Sequence, residues 1–233
     1  MLKRLQTILI MLALCVGTVW AGDVEDGDAA LVRKDYVTAL IKYKRAAAQG
    51  NAIAQYNLGV MYDKGEGVVQ DLTAAVRWWK LAAAQGHISA QFNLGYMYGN
   101  GQGVVQNYAE AVRWYKLAAA QGDAKAQSNL AIKYDQGQGV VQDYAEAVRW
   151  YKLAAAQGDA TAQYNLGLMY GEGKGAVQDY TRAHMWWNLA AVKGDSNAVQ
   201  NRDIVAKMMT PQQIAEAQKL ARECQARNFK NCD

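Results

Sequence analysis

One asparagine recurs at a fixed interval along this chain. Asn57, Asn93, Asn129 and Asn165 stand 36 residues apart, each in a stretch where apolar residues recur at helical spacing. A side-chain amide both donates and accepts hydrogen bonds, so a row of amides could bind an extended peptide backbone at each step. Alternatively, each amide could bind a backbone group of the adjacent repeat and serve stacking alone, since buried amides are nearly always hydrogen bonded. The sequence leaves both interpretations open.

The neighbours of these asparagines on the same predicted helical face change from copy to copy. We call the first predicted helix of each repeat helix A. The helix-A face consists of twelve residues: Ile53, Asn57, Val60, Ser89, Asn93, Tyr96, Lys125, Asn129, Ile132, Thr161, Asn165 and Leu168. A fixed amide could hold a peptide backbone while variable neighbours recognise its side chains. The pattern therefore predicts a protein or peptide partner on this face.

A second row of polar residues is basic. It consists of arginine–lysine pairs at a spacing of three: Arg77 and Lys80, Arg113 and Lys116, Arg149 and Lys152. One hypothesis is a site for an acidic partner or an anionic envelope polymer. We favour a solvated outer face instead, on which Glu110–Arg113 and Glu146–Arg149 form weak pairs of about 0.3 kcal/mol each.

Residues suited to catalysis or metal binding are sparse. The chain has two histidines, His87 and His184, and neither has a second histidine or a cysteine at ligand spacing. Neither Ser-x-x-Lys nor Gly-x-Ser-x-Gly occurs, and the glycine-rich segments 99–103 and 171–175 lack the lysine–hydroxyl pair of a phosphate-binding loop. We therefore expect no enzyme activity, cofactor or metal.

The charge balance gives no indication of nucleic acid. The net charge is +4, and two of those charges are Lys3 and Arg4, so the rest of the chain is near neutral. The tryptophans Trp78, Trp79, Trp114, Trp150, Trp186 and Trp187 could stack on carbohydrate. At helical spacing in a repeat, aromatic residues are more often core, and we predict core positions.

The 36-residue period extends over most of the chain. An Ala-Ala-x-x-Gly block ends at Gly50, Gly86, Gly122, Gly158 and Gly194, which defines full repeats 51–86, 87–122, 123–158 and 159–194. Residues 22–50 form a shortened N-terminal capping repeat, and 195–233 form capping helices and a tail. A fixed period of this length predicts a stacked array whose units bury their apolar faces against one another.

Each repeat contains signals for two helices. In the third copy, Asp123 is an N-cap and Gly137 is a helix exit, while Asp143 with Glu146 suggests a capping box on the second helix. Thr210, Pro211 and Gln213 predict a further helix over about 211–226. The fold predicted is all-α, with antiparallel helix pairs.

The two ends of the chain carry information about location. Lys3 and Arg4 precede an apolar run, and residues 1–21 match a secretory signal peptide. An uncleaved N-terminal anchor helix is the alternative. After removal of residues 1–21, two cysteines remain, Cys224 and Cys232. In an exported protein this pair predicts a disulfide rather than two free thiols. We therefore expect a periplasmic or secreted protein with no permanent membrane span after cleavage.

The repeated segment NLGVMYDKGEGVVQD…AVRWWKLAAAQG resembles the Sel-one-like repeat, a tetratricopeptide-related solenoid. The resemblance covers about 27–210. It implies a right-handed superhelix, and a scaffold role in protein interaction through a concave face. Cysteine-rich relatives suggest the alternative of a cell-envelope protein that binds or hydrolyses peptidoglycan or β-lactams. This chain lacks the cysteines that those relatives carry in each repeat, and its third copy has Ala131 where glycine is usual.

Overall fold

A computed structural model describes residues 22–232, and the predicted signal peptide at 1–21 lies outside the described residues. Within this part of the chain all regular secondary structure is helical. The helices are α1 (22–32), α2 (Tyr36–Ala48), α3 (Ala52–Lys64), α4 (Leu72–Ala84), α5 (Ile88–Asn100), α6 (Tyr108–Ala120), α7 (Ala124–Gln136), α8 (Tyr144–Ala155), α9 (Ala160–Glu172), α10 (Tyr180–Val192), α11 (Ser196–Ala206) and α12 (Pro211–Ala226).

The helices form two compact units, α1–α5 and α6–α12. Within each unit, the helices from α2 to α11 pack on their neighbours in the chain, whereas α12 packs on α10. The core of the first unit contains Tyr43, Leu58 and Met61, and that of the second contains Tyr151, Leu166 and Trp186. The small residues of the Ala-Ala-x-x-Gly blocks are buried alongside these large side chains, so each helix pair closes its core with alanine at the tight contacts.

The helix boundaries follow the predicted capping residues. The Asp123 carboxylate accepts a hydrogen bond from the Ala126 N–H at 2.7 Å, and α7 ends at Gly137, whose φ of 67° is left-handed. At the C-terminal end, the side chains of Thr210 and Gln213 complete a reciprocal capping box. The prediction of helix 211–226 is confirmed.

The capping box predicted for α8 is only half formed. Asp143 accepts from the Glu146 N–H at 3.0 Å as expected. The Asp143 N–H, however, donates to the Tyr134 carbonyl at 3.0 Å, which leaves no donor for the returning Glu146 carboxylate. That carboxylate accepts instead from Arg149 and from the Trp150 indole. The last turn of α7 therefore supplies the acceptor that a capping box would have supplied.

The tryptophans occupy the cores, as predicted. Trp79, Trp114, Trp186 and Trp187 are buried, and Trp78 and Trp150 are half-buried. The Trp79 indole donates to the Tyr56 carbonyl at 3.2 Å, and Trp187 makes the same bond to Tyr164. These bonds fix both indoles in place while their rings fill the space between two helices.

The C-terminal tail is tied to the last helix. Cys224 and Cys232 form the predicted disulfide, and the Cys224 side chain is fully buried. Phe229 lies between the two cysteines in sequence and packs against the core. The centroid of its ring is 4.7 Å from the Lys193 ammonium. Across residues 22–232, no helix combines the length and the hydrophobicity that a bilayer-spanning segment requires.

His87 replaces the usual capping residue of the first helix in its repeat. Its Nδ1 accepts from the Ala90 N–H at 3.3 Å, and its ring stacks on Tyr56 with the centroids 4.4 Å apart. Burial lowers the pKa of His87. The folded state therefore binds fewer protons than the unfolded state as the pH falls below about 6.5, and stability decreases through that range.

We expect His87→Asp to remove this acid sensitivity. Aspartate caps the same helix in the next two repeats, and it still accepts a hydrogen bond where a protonated imidazole cannot. We compare the free energy of unfolding of the variant with that of the unmodified protein. The difference should shift in favour of the variant by about 1 kcal/mol when the pH is lowered from 8 to 5, which is the contribution of one N-cap. Thermal unfolding by circular dichroism at both pH values measures this. His184 is present in both proteins, so its titration cancels. A difference that does not change with pH would contradict the prediction.

Candidate partner-binding face

The helix-A face lies on the first helix of each repeat, on α3, α5, α7 and α9. All twelve of its residues are half-buried or exposed. The neighbouring face of the same helices is closed, since Ala54, Leu58 and their equivalents have no exposed surface. Each of these helices therefore has one face in the core and one face open to solvent.

The four asparagines make few contacts with the rest of the chain. The Asn57 amide donates to the Asp28 carboxylate at 3.3 Å, and the Asn129 amide donates to the Lys125 carbonyl of its own helix at 2.9 Å. Asn93 and Asn165 have no side-chain hydrogen bond to any described residue. None of the four amides donates to the backbone of an adjacent repeat within the described part of the chain. Asn57 contacts the preceding capping repeat, whereas the contacts of Asn93, Asn129 and Asn165 weigh against the stacking interpretation.

A row of buried glutamines stacks the repeats instead, and the sequence analysis missed it. Each member lies two residues before an asparagine and donates to the backbone carbonyl eight residues earlier, at the end of the preceding helix: Gln55 to Ala47, Gln91 to Ala83, Gln127 to Ala119 and Gln163 to Ala155. The same amides accept from the end of the following helix, where Gln85 donates to Gln55 at 2.7 Å and Gln157 to Gln127 at 2.9 Å. The 36-residue period of these glutamines is visible in the sequence, but it does not show which side of the helix they occupy.

The glutamine row ends at the fourth repeat. Gln163 is fully buried, but its Oε1 has no hydrogen-bond partner among the described residues. The position that holds Gln85 and Gln157 in earlier repeats holds Lys193 here, whose ammonium binds the Gly158 carbonyl and lies over Phe229. The change marks the junction between the repeats and the C-terminal helices.

A pocket of about 350 Å³ opens on the helix-A face of the first unit. It is lined by Asp63, Trp79, Phe92, Asn93, Tyr96, Met97 and Gln102. Two of these residues, Asn93 and Tyr96, belong to the predicted face. Trp79 is 3% exposed and Tyr96 is 46% exposed, so the pocket has an aromatic base and an aromatic rim. Burial raises the pKa of the Asp63 carboxyl above its usual range.

The second unit has a pocket at the corresponding place, of about 220 Å³. Trp187, Asn201, Ile204 and Val205 line it, each 108 residues after its counterpart in the first unit. Gly171 stands in the place of Asp63. The nearest acid, Glu172, already pairs with the Lys174 ammonium at 2.7 Å. The two pockets share a position in the repeat. The carboxylate of the first pocket, Asp63, has no ion pair, whereas that of the second, Glu172, is paired.

Most residues of the basic row of arginine–lysine pairs contact acidic or aromatic side chains of the same chain. Arg113 pairs with Glu110 and Arg149 with Glu146, as predicted, and both guanidinium groups lie over the tryptophan that follows them in sequence. The lysines lie over tyrosines, with Lys80 5.4 Å from the centroid of the Tyr98 ring, and Lys116 and Lys152 placed similarly over Tyr134 and Tyr170. Arg77 has Ala74 at the position of the paired glutamate. These contacts favour a solvated outer face over a site for an acidic partner.

The sequence profile described as Sel1 repeat matches residues 21–51, 52–87, 88–123, 124–159 and 160–195. The chain belongs to the Sel1 repeat family. The family resemblance is therefore confirmed, as is an all-helical solenoid fold with repeats of about 36 residues. Sel1 repeat proteins are generally non-catalytic scaffolds for protein interaction.

Two solved structures of Sel1 repeat proteins are similar to this chain. A Sel1 repeat protein from Oxalobacter formigenes is 40% identical, with a TM-score of 0.70, over 74% of this chain and 71% of that one. The protective antigen c5321 of uropathogenic Escherichia coli is 33% identical, with a TM-score of 0.76, over 91% of this chain and 46% of that one. This chain thus spans about half the length of the antigen. A comparison with curated protein sequences finds no significant match.

The described residues of this Sel1 repeat protein contain no group of three or more histidine, cysteine or acidic side chains placed to hold a metal ion. His87 caps a helix, and His184 is buried in α10 at a position that holds valine in earlier repeats. Both histidines therefore have a place in the packing of the repeats.

Proposed function

We propose that this Sel1 repeat protein is an exported scaffold that binds a protein or peptide segment through the helix-A face, without a catalytic step of its own. The observation that carries the proposal is the difference in contacts between the row of glutamines and the row of asparagines. The buried glutamines make the contacts between helices, whereas the half-buried asparagines leave most of their hydrogen-bonding capacity unused. Unused amides on an open face are suited to a peptide backbone.

Export is supported by two features of the chain. Residues 1–21 have the charge and hydrophobicity pattern of a signal peptide. The disulfide between Cys224 and Cys232 is of a kind that persists in oxidising compartments and is rare in the cytosol. We therefore place the scaffold in the periplasm or outside the cell.

Affinity capture tests the proposed face. The full-length protein, tagged at its C-terminus and produced in its own cells, is the bait, and the double variant Asn93→Ala/Asn129→Ala is the comparison. We expect the variant to lose at least tenfold of the recovered partner, since it removes two amides from the contact surface. The matched control is Gln212→Ala/Gln218→Ala, which removes two exposed amides from α12. Equal recovery by all three baits would show that the helix-A face does not bind the partner.

A further inference from the structure

The pocket of the first unit combines three aromatic side chains with one carboxylate. Trp79 lies at its base, Phe92 is half-buried, and Tyr96 stands at the rim. Aromatic faces carry negative electrostatic potential and attract organic cations, including ammonium and guanidinium groups. The composition of the walls thus favours a cation with an apolar stem over an anion or a small polar group.

The Asp63 carboxylate makes no side-chain hydrogen bond and no ion pair with any described residue. Its charged neighbour is the exposed Lys64, whose ammonium lowers the pKa of the carboxyl less than burial raises it. Glu146, by contrast, lies beside Trp150 and is paired with Arg149. A partly buried carboxylate without a cation is unfavourable, and a ligand cation would relieve it.

We infer that this pocket binds the lysine or arginine side chain of the partner polypeptide, with Asp63 as its counter-ion and Trp79, Phe92 and Tyr96 around its methylene stem. The inference rests on the proposed function, because Asn93 beside the pocket would hold the backbone of the same segment. It also gives the partner a defined chemistry, a basic residue within an extended stretch of chain.

The pocket of the second unit provides an internal contrast. Ile204 stands at the position of Tyr96, Trp187 and Tyr180 are its aromatic lining residues, and the carboxylate that lines it, Glu172, is paired with Lys174. Because its charge is already matched, it should take an apolar side chain without preference for a cation. The two pockets therefore predict a basic residue and an apolar residue in ligands of this protein, one for each unit.

Titration with capped amino acids tests the inference without knowledge of the partner. The probes are the N-acetyl, N-methylamide forms of lysine, arginine and norleucine, and binding is followed by NMR through the Trp79 indole N–H of the full protein. We expect the two cationic probes to bind at least fivefold more tightly than norleucine. Asp63→Asn should abolish that preference, and Tyr96→Leu, at an exposed position, should weaken the cationic probes alone.

The control is Asp135→Asn, the same substitution at the equivalent position of the third repeat, where burial also raises the carboxyl pKa. It should leave the preference at the Trp79 signal intact. Equal binding of the three probes, or a preference that survives Asp63→Asn, would overturn the inference. Such a result would not affect the proposed scaffold role, which fails only if the asparagine variant captures the partner as well as the unmodified bait.

Discussion

Gly59→Ala is expected to destabilise the protein by about 2 kcal/mol, the usual cost of overpacking a core. A Cβ on Gly59 would lie 2.3 Å from Nε1 and 2.4 Å from Cδ1 of Trp79. The indole is 3% exposed and donates to the Tyr56 carbonyl, so it cannot move away without losing that bond. In an ordinary helix the same substitution would stabilise by about 1 kcal/mol. The sign of the measured change therefore separates close packing from helix propensity.

The third repeat explains how the same contact can be made with alanine. Ala131 occupies the position of Gly59 and is fully buried, and Tyr151 occupies the position of Trp79. The fourth repeat has glycine, Gly167, and tryptophan, Trp187, at these two positions. A Cβ on Gly167 would lie 2.4 Å from the indole nitrogen of Trp187. The second repeat pairs Gly95 with Tyr115, so a tyrosine occurs with either residue, whereas both tryptophans at this position occur with glycine.

A double-mutant cycle tests this pairing. Trp79→Tyr alone should cost stability because it removes ring volume and the bond to Tyr56. Combined with Gly59→Ala, it should cost less than the two separate changes together, with a coupling of about 1 to 2 kcal/mol. Urea unfolding of the four proteins gives each term. Additive effects would mean that the indole is not the obstacle, and an increase in stability for Gly59→Ala alone would refute the close contact.

The sequence was sufficient for the features that depend on local signals. Caps such as Asp123, exits such as Gly137 and the C-terminal box at Thr210 are set by residues within one turn of the helix boundary. The tryptophan positions and the disulfide also followed from spacing and compartment. The Asp143 prediction was only half right because the competing acceptor, the Tyr134 carbonyl, belongs to the preceding helix.

The sequence was not sufficient to assign the amide rows. Asn129 and Gln127 are two residues apart and equally regular in period, so repetition gives no means of deciding which contacts the next helix. Two residues on a helix differ by about 200° in direction, and only the packing determines which side is enclosed. The pocket was unpredictable for a related reason. Asp63 has glycine at its position in the second repeat, so no pattern marked it.

Substitution of the two amides separately should give very different stabilities. Gln127→Ala is expected to cost about 2 to 3 kcal/mol, because it removes the bond to the Ala119 carbonyl and the bond from the Gln157 amide, at about 1 kcal/mol each, and leaves a cavity. The Gln157 amide keeps its second acceptor, the Gly122 carbonyl. Asn129→Ala should change stability by no more than about 0.5 kcal/mol, since its bond lies on a half-exposed face of its own helix and alanine favours helix. Urea unfolding of the two variants measures both.

The comparison bears directly on function. If Gln127 carries the contacts between helices, a variant at Asn129 can lose partner binding while it keeps its fold, and such a loss identifies a contact surface rather than a damaged protein. If instead Asn129→Ala were the more destabilising change, the asparagine row would be part of the packing. The helix-A face would then lack the free amides on which peptide binding depends, and the partner would have to be sought on another surface of the repeats.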